Sequence, residues 1–418
     1  MLNKKLGIMA LSLAAMGLAS CGGNGGGEPV IDLSQGDSIT YWCPNTDTEF
    51  FTKKVAEFKA AHPEFKGDIT FLATMGEGEV KGELTKDPEN SADVFEIADD
   101  NIPDCVTARA MTAFDSSDVD VMKNRYGDEA VKASSVKSKV YGVPYRNDNG
   151  YVLSYDTSIV SAEEAKTLEG IIAACKRAGA TFNFDLTNSW YTFAPIWAAG
   201  GKTYTDDQGV FHSEIATDAI ATVAAGFANI VKDAGSTWNH VADDANFGAS
   251  TAPIGAVVLW NDENKQAEKI GDRLAITTLP SFTVGGKSYA LKSFQGFKAL
   301  GMRRASNFTD AKKITARAFC LFMGSDAVAK DRLTQLKQGV SNKAVIEQKN
   351  LWQSKWLAAL GAQQAAGNTV SQANGSSGTF WSAAEALGNA IKGGTLTTKE
   401  AMLEALRICE TTQNTPQN

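Results

Sequence analysis

Residues 38–62, Ser-Ile-Thr-Tyr-Trp-Cys-Pro-Asn-Thr-Asp-Thr-Glu-Phe-Phe-Thr-Lys-Lys-Val-Ala-Glu-Phe-Lys-Ala-Ala-His, read as one strand passing directly into one helix. The β-branched and aromatic run 38–42 suits a pleated strand. Thr46-Asp47-Thr48-Glu49 has the form of a capping box, and Phe51, Val55 and Phe58 then fall on one helical face. His62-Pro63 ends the helix, because the residue before a proline is pushed out of the helical region. Working outward, residues 68–73 and 93–98 are the next strands, the second running straight into Asp99-Asp100-Asn101. This is an α/β alternation with a parallel sheet.

A second block begins after a short strand at 140–145. It holds a helix carrying Leu168, Ile171, Ile172 and Cys175, a strand at 181–184, and a helix with Ile220, Val223, Phe227 and Ile230 at 3.6-residue spacing. Buried strands follow at 255–260 and 274–279, before Pro280. Residues 310–324 and 398–409 form amphipathic helices, the second opened by a capping box at Thr397-Thr398-Lys399-Glu400. The Ala-, Gly-, Gln-, Asn- and Ser-rich stretch 360–378 reads as a long loop or a loosely packed segment. With no internal repeat of about 20 to 50 residues, solenoids and propellers are disfavoured.

At 418 residues, 43% hydrophobic and 21% charged, the chain has room for two or three domains of about 150 residues each. Its net charge is -8, the wrong sign for binding nucleic acid. Lys4 and Lys5, the small apolar segment 6–17 and Leu18-Ala19-Ser20-Cys21 form an export leader too short for a comfortable membrane span. The tetrad resembles a bacterial lipobox, which implies a signal peptide over 1–20, lipidation of Cys21 and a flexible Gly-rich tether over 21–36. The other cysteines, Cys43, Cys105, Cys175, Cys320 and Cys409, are odd in number and contain no CxxC pair, so each reads as a small buried residue.

No catalytic constellation holds. His62, His212 and His240 lack metal-ligand spacing, and there is no GxSxG elbow, Walker loop or GxGxxG after a strand. Carboxylate pairs such as Asp99 with Asp100, or Asp148 with Glu79, stand in polar sequence and read as hydrogen-bond acceptors rather than a glycosidase pair. No cofactor or metal is expected. What recurs is an aromatic residue beside polar ones at an element boundary: Trp42 with Asn45, Trp190-Tyr191, Trp260 with Asn261 and Asp262, and Phe380-Trp381. A sugar, with apolar faces and a rim of hydroxyls, calls for flat aromatic platforms edged by planar hydrogen-bonding groups.

The segments Ile39-Thr40-Tyr41-Trp42, Ala92-Asp93-Val94-Phe95, Tyr141-Gly142-Val143-Pro144-Tyr145, Leu153-Ser154-Tyr155-Asp156, Trp190-Tyr191-Thr192-Phe193, Ala198-Ala199-Gly200-Gly201, Leu279-Pro280-Ser281-Phe282 and Phe380-Trp381 stand in a distinctive order. Over about residues 37 to 410 the chain resembles the family 1 extracellular solute-binding proteins of bacterial ABC importers, most closely the maltose/maltodextrin binders. The resemblance implies an α/β, two-lobed periplasmic-binding-protein-like fold of class II, with crossover hinges and a ligand cleft. Lobe one would be 37–147 plus 296–340, and lobe two 150–293 plus 345–418. It implies a lipid-anchored, extracytoplasmic monomer that is not an enzyme and passes a carbohydrate to ABC permease subunits. Carried over by position, the ligand-facing set is Asn45, Thr46, Asp47, Asp99, Asp100, Asn101 and Asp148 or Asn149 in lobe one, with Trp190, Trp260 and Trp381 in lobe two. Ile97 and Asn101 stand where maltose binders carry tryptophan and arginine, and Glu385 where they carry arginine, which points to a carbohydrate without singling out maltose. A same-fold binder of a polyamine and a surface glycan-degrading enzyme remain the alternatives.

Overall fold

The computed structural model describes residues 31–43, 47–72, 75, 79–206, 210–261, 263–348, 353–372 and 378–415, and the leader, its lipobox and Cys21 lie outside them. The strand Ile39–Trp42 lies parallel to and between Ile69–Leu72 and Val94–Ala98, and the helix Thr48–Ala61 that connects the first two buries Phe51 and Phe58. The sheet is mixed rather than parallel, which corrects the sequence expectation. Val94–Ala98 pairs antiparallel with the long strand Ser293–Arg303, which in turn pairs with Met111–Thr112, Gly142–Gly150 and Thr369–Ser371. The long strand runs the other way because the chain reaches it on its return from the second lobe, about two hundred residues downstream. Pairing across such a separation leaves no trace in local periodicity.

The second sheet has the order Trp238–Asn239, Thr181–Asn183, Ile254–Leu259, Val152–Asp156, Leu274–Thr277. The first three run parallel, and Val152–Asp156 opposes both of its neighbours. Each sheet has its own core. Tyr41, Phe51, Phe58, Phe319 and Met323 are buried in one, and Phe182, Tyr191, Trp197, Phe227 and Phe380 in the other. Only Tyr151 separates Gly142–Gly150 in the first sheet from Val152–Asp156 in the second, so the chain crosses between lobes there with almost no slack.

A separate cluster behind this crossing joins Val152 to Leu333, Val340, Trp356, Leu357 and Leu360. It explains why residues 360–365 are helical although their composition suggests a loop or loose packing; of the stretch 360–378, residues 373–377 lie outside the described ones. Trp356, Leu357 and Leu360 supply an apolar face to the helix Lys355–Ala365, capped by Ser354, and Thr369–Ser371 then joins the first sheet. Two caps also differ from expectation. The C-terminal helix Lys399–Gln413 begins one residue late, with Thr398 Oγ1 accepting from Ala401 N at 3.3 Å. At the first helix the N-cap is Asp47, which makes no side-chain cap bond because its carboxylate accepts from Gln338 Nε2 at 2.8 Å instead; Thr46 lies outside the described residues. The five cysteines outside the leader are all buried and unbridged.

Candidate functional site

Loops after the carboxyl ends of strands from both sheets face one another across a cleft of about 1220 Å³. That is where open α/β sheets carry their ligands. Asp47 starts the helix after the first strand, and Asp100 and Asn101 follow Val94–Ala98. Asp148 and Asn149 sit at the crossover, Trp260 follows Ile254–Leu259, and all of these line the cleft together with Trp190 and Trp381. Asn45 lies outside the described residues, like Thr46.

The aromatic wall belongs to the second lobe. Asn188 caps the short helix Ser189–Thr192, its side chain accepting from Trp190 N at 3.0 Å, and so fixes the indole at the helix start. Trp190 and Trp381 lie nearly parallel, with centroids 6.3 Å apart and planes 25° from one another. Phe294 supports both, at 5.1 and 5.4 Å. Both indoles are half-buried, so one side of the plate rests on the core while the rest meets the cleft. Trp260 stands apart and is 49% exposed.

Asp99 does not belong to the cleft wall, which corrects the expectation from the sequence. Its side chain is buried in the protein, where it accepts from Phe297 N and from Asp100 N, both at 3.0 Å, and so ties the turn to the long strand. Adjacent residues in a 3-10 turn point in different directions, so only one of the pair reaches the cleft. Asp100 does so, and its Oδ1 has no hydrogen-bond partner among the described residues. Burial pushes the Asp100 carboxyl up to about 6, against the opposing pull of its Gln372 hydrogen bond and Lys81. Burial and the neighbouring Asp100 charge push Asp99 well above the usual carboxylate range.

The pair makes a definite prediction for acid stability. A carboxyl whose folded pKa exceeds its unfolded value lets the folded state hold the extra proton, so its contribution is complete below pH about 4 and disappears as pH rises through about 6. Melting temperature in the absence of ligand should therefore fall between pH 4 and 7, and Asp100→Asn should flatten that slope by on the order of 3 kcal/mol across the window. An unchanged slope in Asp100→Asn would remove Asp100 from this account.

Asp148 and Asn149 are interchangeable by sequence, and their contacts in the structure differ. Asp148 is saturated: Arg146 Nη2 and Nε donate to it at 3.0 and 3.2 Å, and Gly339 N at 2.8 Å. Burial acts to raise its pKa, but the Arg146 and Lys298 charges and these hydrogen bonds bring it below the usual range. Asn149 Nδ2 donates to Gln372 Oε1 from the neighbouring strand end.

Several cleft residues were not anticipated: Arg146, Lys298, Lys265, Glu263, Gln372 and the turn Gln335 to Gln338. Arg146 had a signal, since alternation along Gly142–Gly150 sets it on the same face as Asp148. Lys298 had none, because its register opposite Ala98 and Arg146 depends on long-range pairing. Glu263 accepts from Ser354 Oγ, Lys355 N and Trp356 N, which anchors this wall to the helix behind the hinge. Among the described lining residues the acids Asp47, Asp100, Asp148 and Glu263 balance the bases Arg146, Lys265, Lys298 and Lys337, four against four.

A two-lobed α/β fold enclosing an aromatic, charge-balanced cleft is the architecture of a solute-binding protein. The model of the bacterial extracellular solute-binding protein family matches residues 53–360, and the chain belongs to that family. No curated protein sequence is a significant match. Among solved structures the chain is similar to the maltodextrin binding protein MalE1 from L. casei BL23 without ligand, at 19% identity and TM-score 0.79, covering 91% of this chain and 100% of that one. It is also similar to the maltose-maltodextrin binding protein of the thermoacidophilic bacterium Alicyclobacillus acidocaldarius, at 17% identity and TM-score 0.70, covering 89% and 100%. A third is maltose-binding periplasmic protein MalE from Listeria monocytogenes in complex with maltose, at 15% identity and TM-score 0.68, covering 91% and 99%. At these identities the likeness establishes the fold.

Proposed function

We propose that the protein captures a neutral oligosaccharide of the maltodextrin type in this cleft, by closure of its lobes, and delivers it to an ABC import permease from a lipid anchor at Cys21. The observation that carries the reading is the stacked plate of Trp190 and Trp381 facing a cleft whose opposite wall carries the carboxyl and amide side chains of Asp100, Asn101 and Asn149. Indole faces match the apolar faces of pyranose rings, and carboxyl and amide groups on the opposite wall match the rim of ligand hydroxyls. Asp47, Asn101 and Asn149 would supply further hydroxyl contacts and Trp260 a second platform, with Asn45 and Thr46 next to them in sequence. Several solved relatives are described as binding maltose, maltotetraose or acarbose, which supports this ligand class. The cleft volume exceeds the roughly 300–1,000 Å³ typical of a drug-sized pocket, leaving room for several sugar rings.

The formal charge balance weighs against the polyamine alternative, which calls for an excess of carboxylates. Glycoside hydrolysis would need an acid and a base or nucleophile flanking one bond. Here Asp148 and Glu263 are committed to structural partners, and the reading is that the protein does not turn its ligand over.

Thermal melts against maltose, maltotriose, maltotetraose, cyclodextrins and spermidine test the assignment. At about 100 times its dissociation constant the correct ligand should stabilise the protein by roughly 2.7 kcal/mol. A shift with spermidine and none with any saccharide would overturn the reading in favour of the alternative. For the anchor, Cys21→Ser in cells should leave the leader uncut or release the protein from the membrane fraction. A processed variant that stays membrane-bound would refute lipidation at that residue.

A further inference from the structure

On the lobe-one side of the cleft the helix Asp326–Asp331 continues into a wider π turn over Arg332–Leu336, then reverses at Lys337, whose φ of +53° lies in the left-handed region. Such π turns recur at functional sites. This one delivers Gln335, Lys337 and Gln338 to the cleft wall while its first residue points into the core. Arg332 is fully buried, with its guanidinium 4.5 Å from the ring centre of Tyr145 and 5.1 and 5.2 Å from those of Phe50 and Phe51. Its Nη1 donates to Gln338 Oε1 at 2.9 Å, whereas Nε and Nη2 have no hydrogen-bond partner among the described residues. Gln338 Nε2 then donates to Asp47 Oδ2 at 2.8 Å. The relay thus runs from an aromatic cage in the core to a carboxylate on the cleft wall.

A buried guanidinium with three of its five N–H donors, those on Nε and Nη2, unpaired among the described residues is a costly way to fill space, even over three ring faces. Replacing buried charges by apolar groups of similar volume is often neutral or stabilising, so packing alone does not account for an arginine here. We propose that Arg332 is a positioning residue: by holding Gln338 it fixes the turn at 335–338 and the orientation of Asp47, and so tunes ligand affinity without touching ligand. The affinity part rests on the saccharide reading above; the placement of the turn does not.

The test uses the full mature chain carrying Arg332→Met, which keeps the core volume, and Gln338→Leu, which cuts the same relay at its cleft end should the first variant fail to fold. Melting temperature, amide hydrogen exchange without ligand and the dissociation constant for maltotriose are measured on each. The expected result is a melting temperature unchanged or raised in Arg332→Met, exchange at residues 335–339 accelerated by about tenfold or more in both variants, and maltotriose affinity reduced roughly 10- to 100-fold. Exchange within about twofold of wild type, or faster exchange with unaltered maltotriose affinity, would overturn the proposal. If the wild type binds no saccharide, the proposed function fails by itself, and exchange at 335–339 alone decides whether Arg332 holds the turn.

Discussion

Arg146→Ala should cost about 3 to 5 kcal/mol of folding stability at neutral pH, more than any single change on the cleft surface. Arg146 sits between two buried carboxylates, donating to Asp148 at 3.0 Å and to Glu96 at 3.2 Å, with the Glu96 carboxylate also accepting from Tyr145. All three charged side chains are at most 8% exposed. Removing the guanidinium takes from two buried carboxylates the cation that both of them contact. Each must then either remain ionised without that cation or take up a proton. The loss should therefore shrink on acidification. In the wild type Asp148 has a depressed pKa, so its contribution is complete above the ordinary carboxylate value and is lost as pH falls through the folded one. In the variant that contribution is absent from the outset, and the two curves should converge toward low pH. Urea unfolding at pH 7 and pH 4 checks both parts. A loss below about 1 kcal/mol at pH 7 would mean that the carboxylates are hydrated and the triad is not a buried network.

The second large effect concerns ligand rather than fold. Trp190→Ala and Trp381→Ala should each weaken maltotriose binding by roughly 5- to 150-fold, corresponding to on the order of 1 to 3 kcal/mol for stacking a flat ligand on one ring. Both indoles are half-buried and lean on Phe294, so each variant should also lose stability, but less than the roughly 3 to 5 kcal/mol of a fully enclosed aromatic. Because the two rings stack on each other, the double variant should fall short of the summed losses. Calorimetry for affinity, paired with melting temperature in the absence of ligand, separates the contributions. Near-normal affinity with a full core-sized loss of stability would show that the plate belongs to the core and is not a platform.

The difference between Asp99 and Asp100 shows where sequence reading reaches its limit. Both are acidic, adjacent and at the end of the same strand, and resemblance to the family marks Asp100 as the hydroxyl acceptor while keeping Asp99 in the ligand-facing set. The division depends on the long strand Ser293–Arg303, because the amide of Phe297 holds Asp99 on the inner side and leaves Asp100 to face the cleft. Arg146 shows the converse. Its placement on one face with Asp148 follows from the two-residue alternation of a strand, but its partner Glu96 lies fifty residues earlier and is found only once the strands pair.

By itself the sequence determines the features that need only neighbouring residues. These are the α/β alternation, the positions of the main helices and strands, and the tryptophans set at element boundaries, because propensity, capping and periodicity act over a few residues. The tertiary structure alone decides that the first sheet is mixed, that residues 355–365 form a helix behind the hinge, and that Asp148 is consumed by Arg146 and Gly339. It also brings Arg332, Gln338 and Asp47 into line, although Asp47 lies 291 residues from Gln338. Those features depend on which distant segments come together, and that is set by burial of apolar surface and by the pairing of backbone and charge across the whole chain.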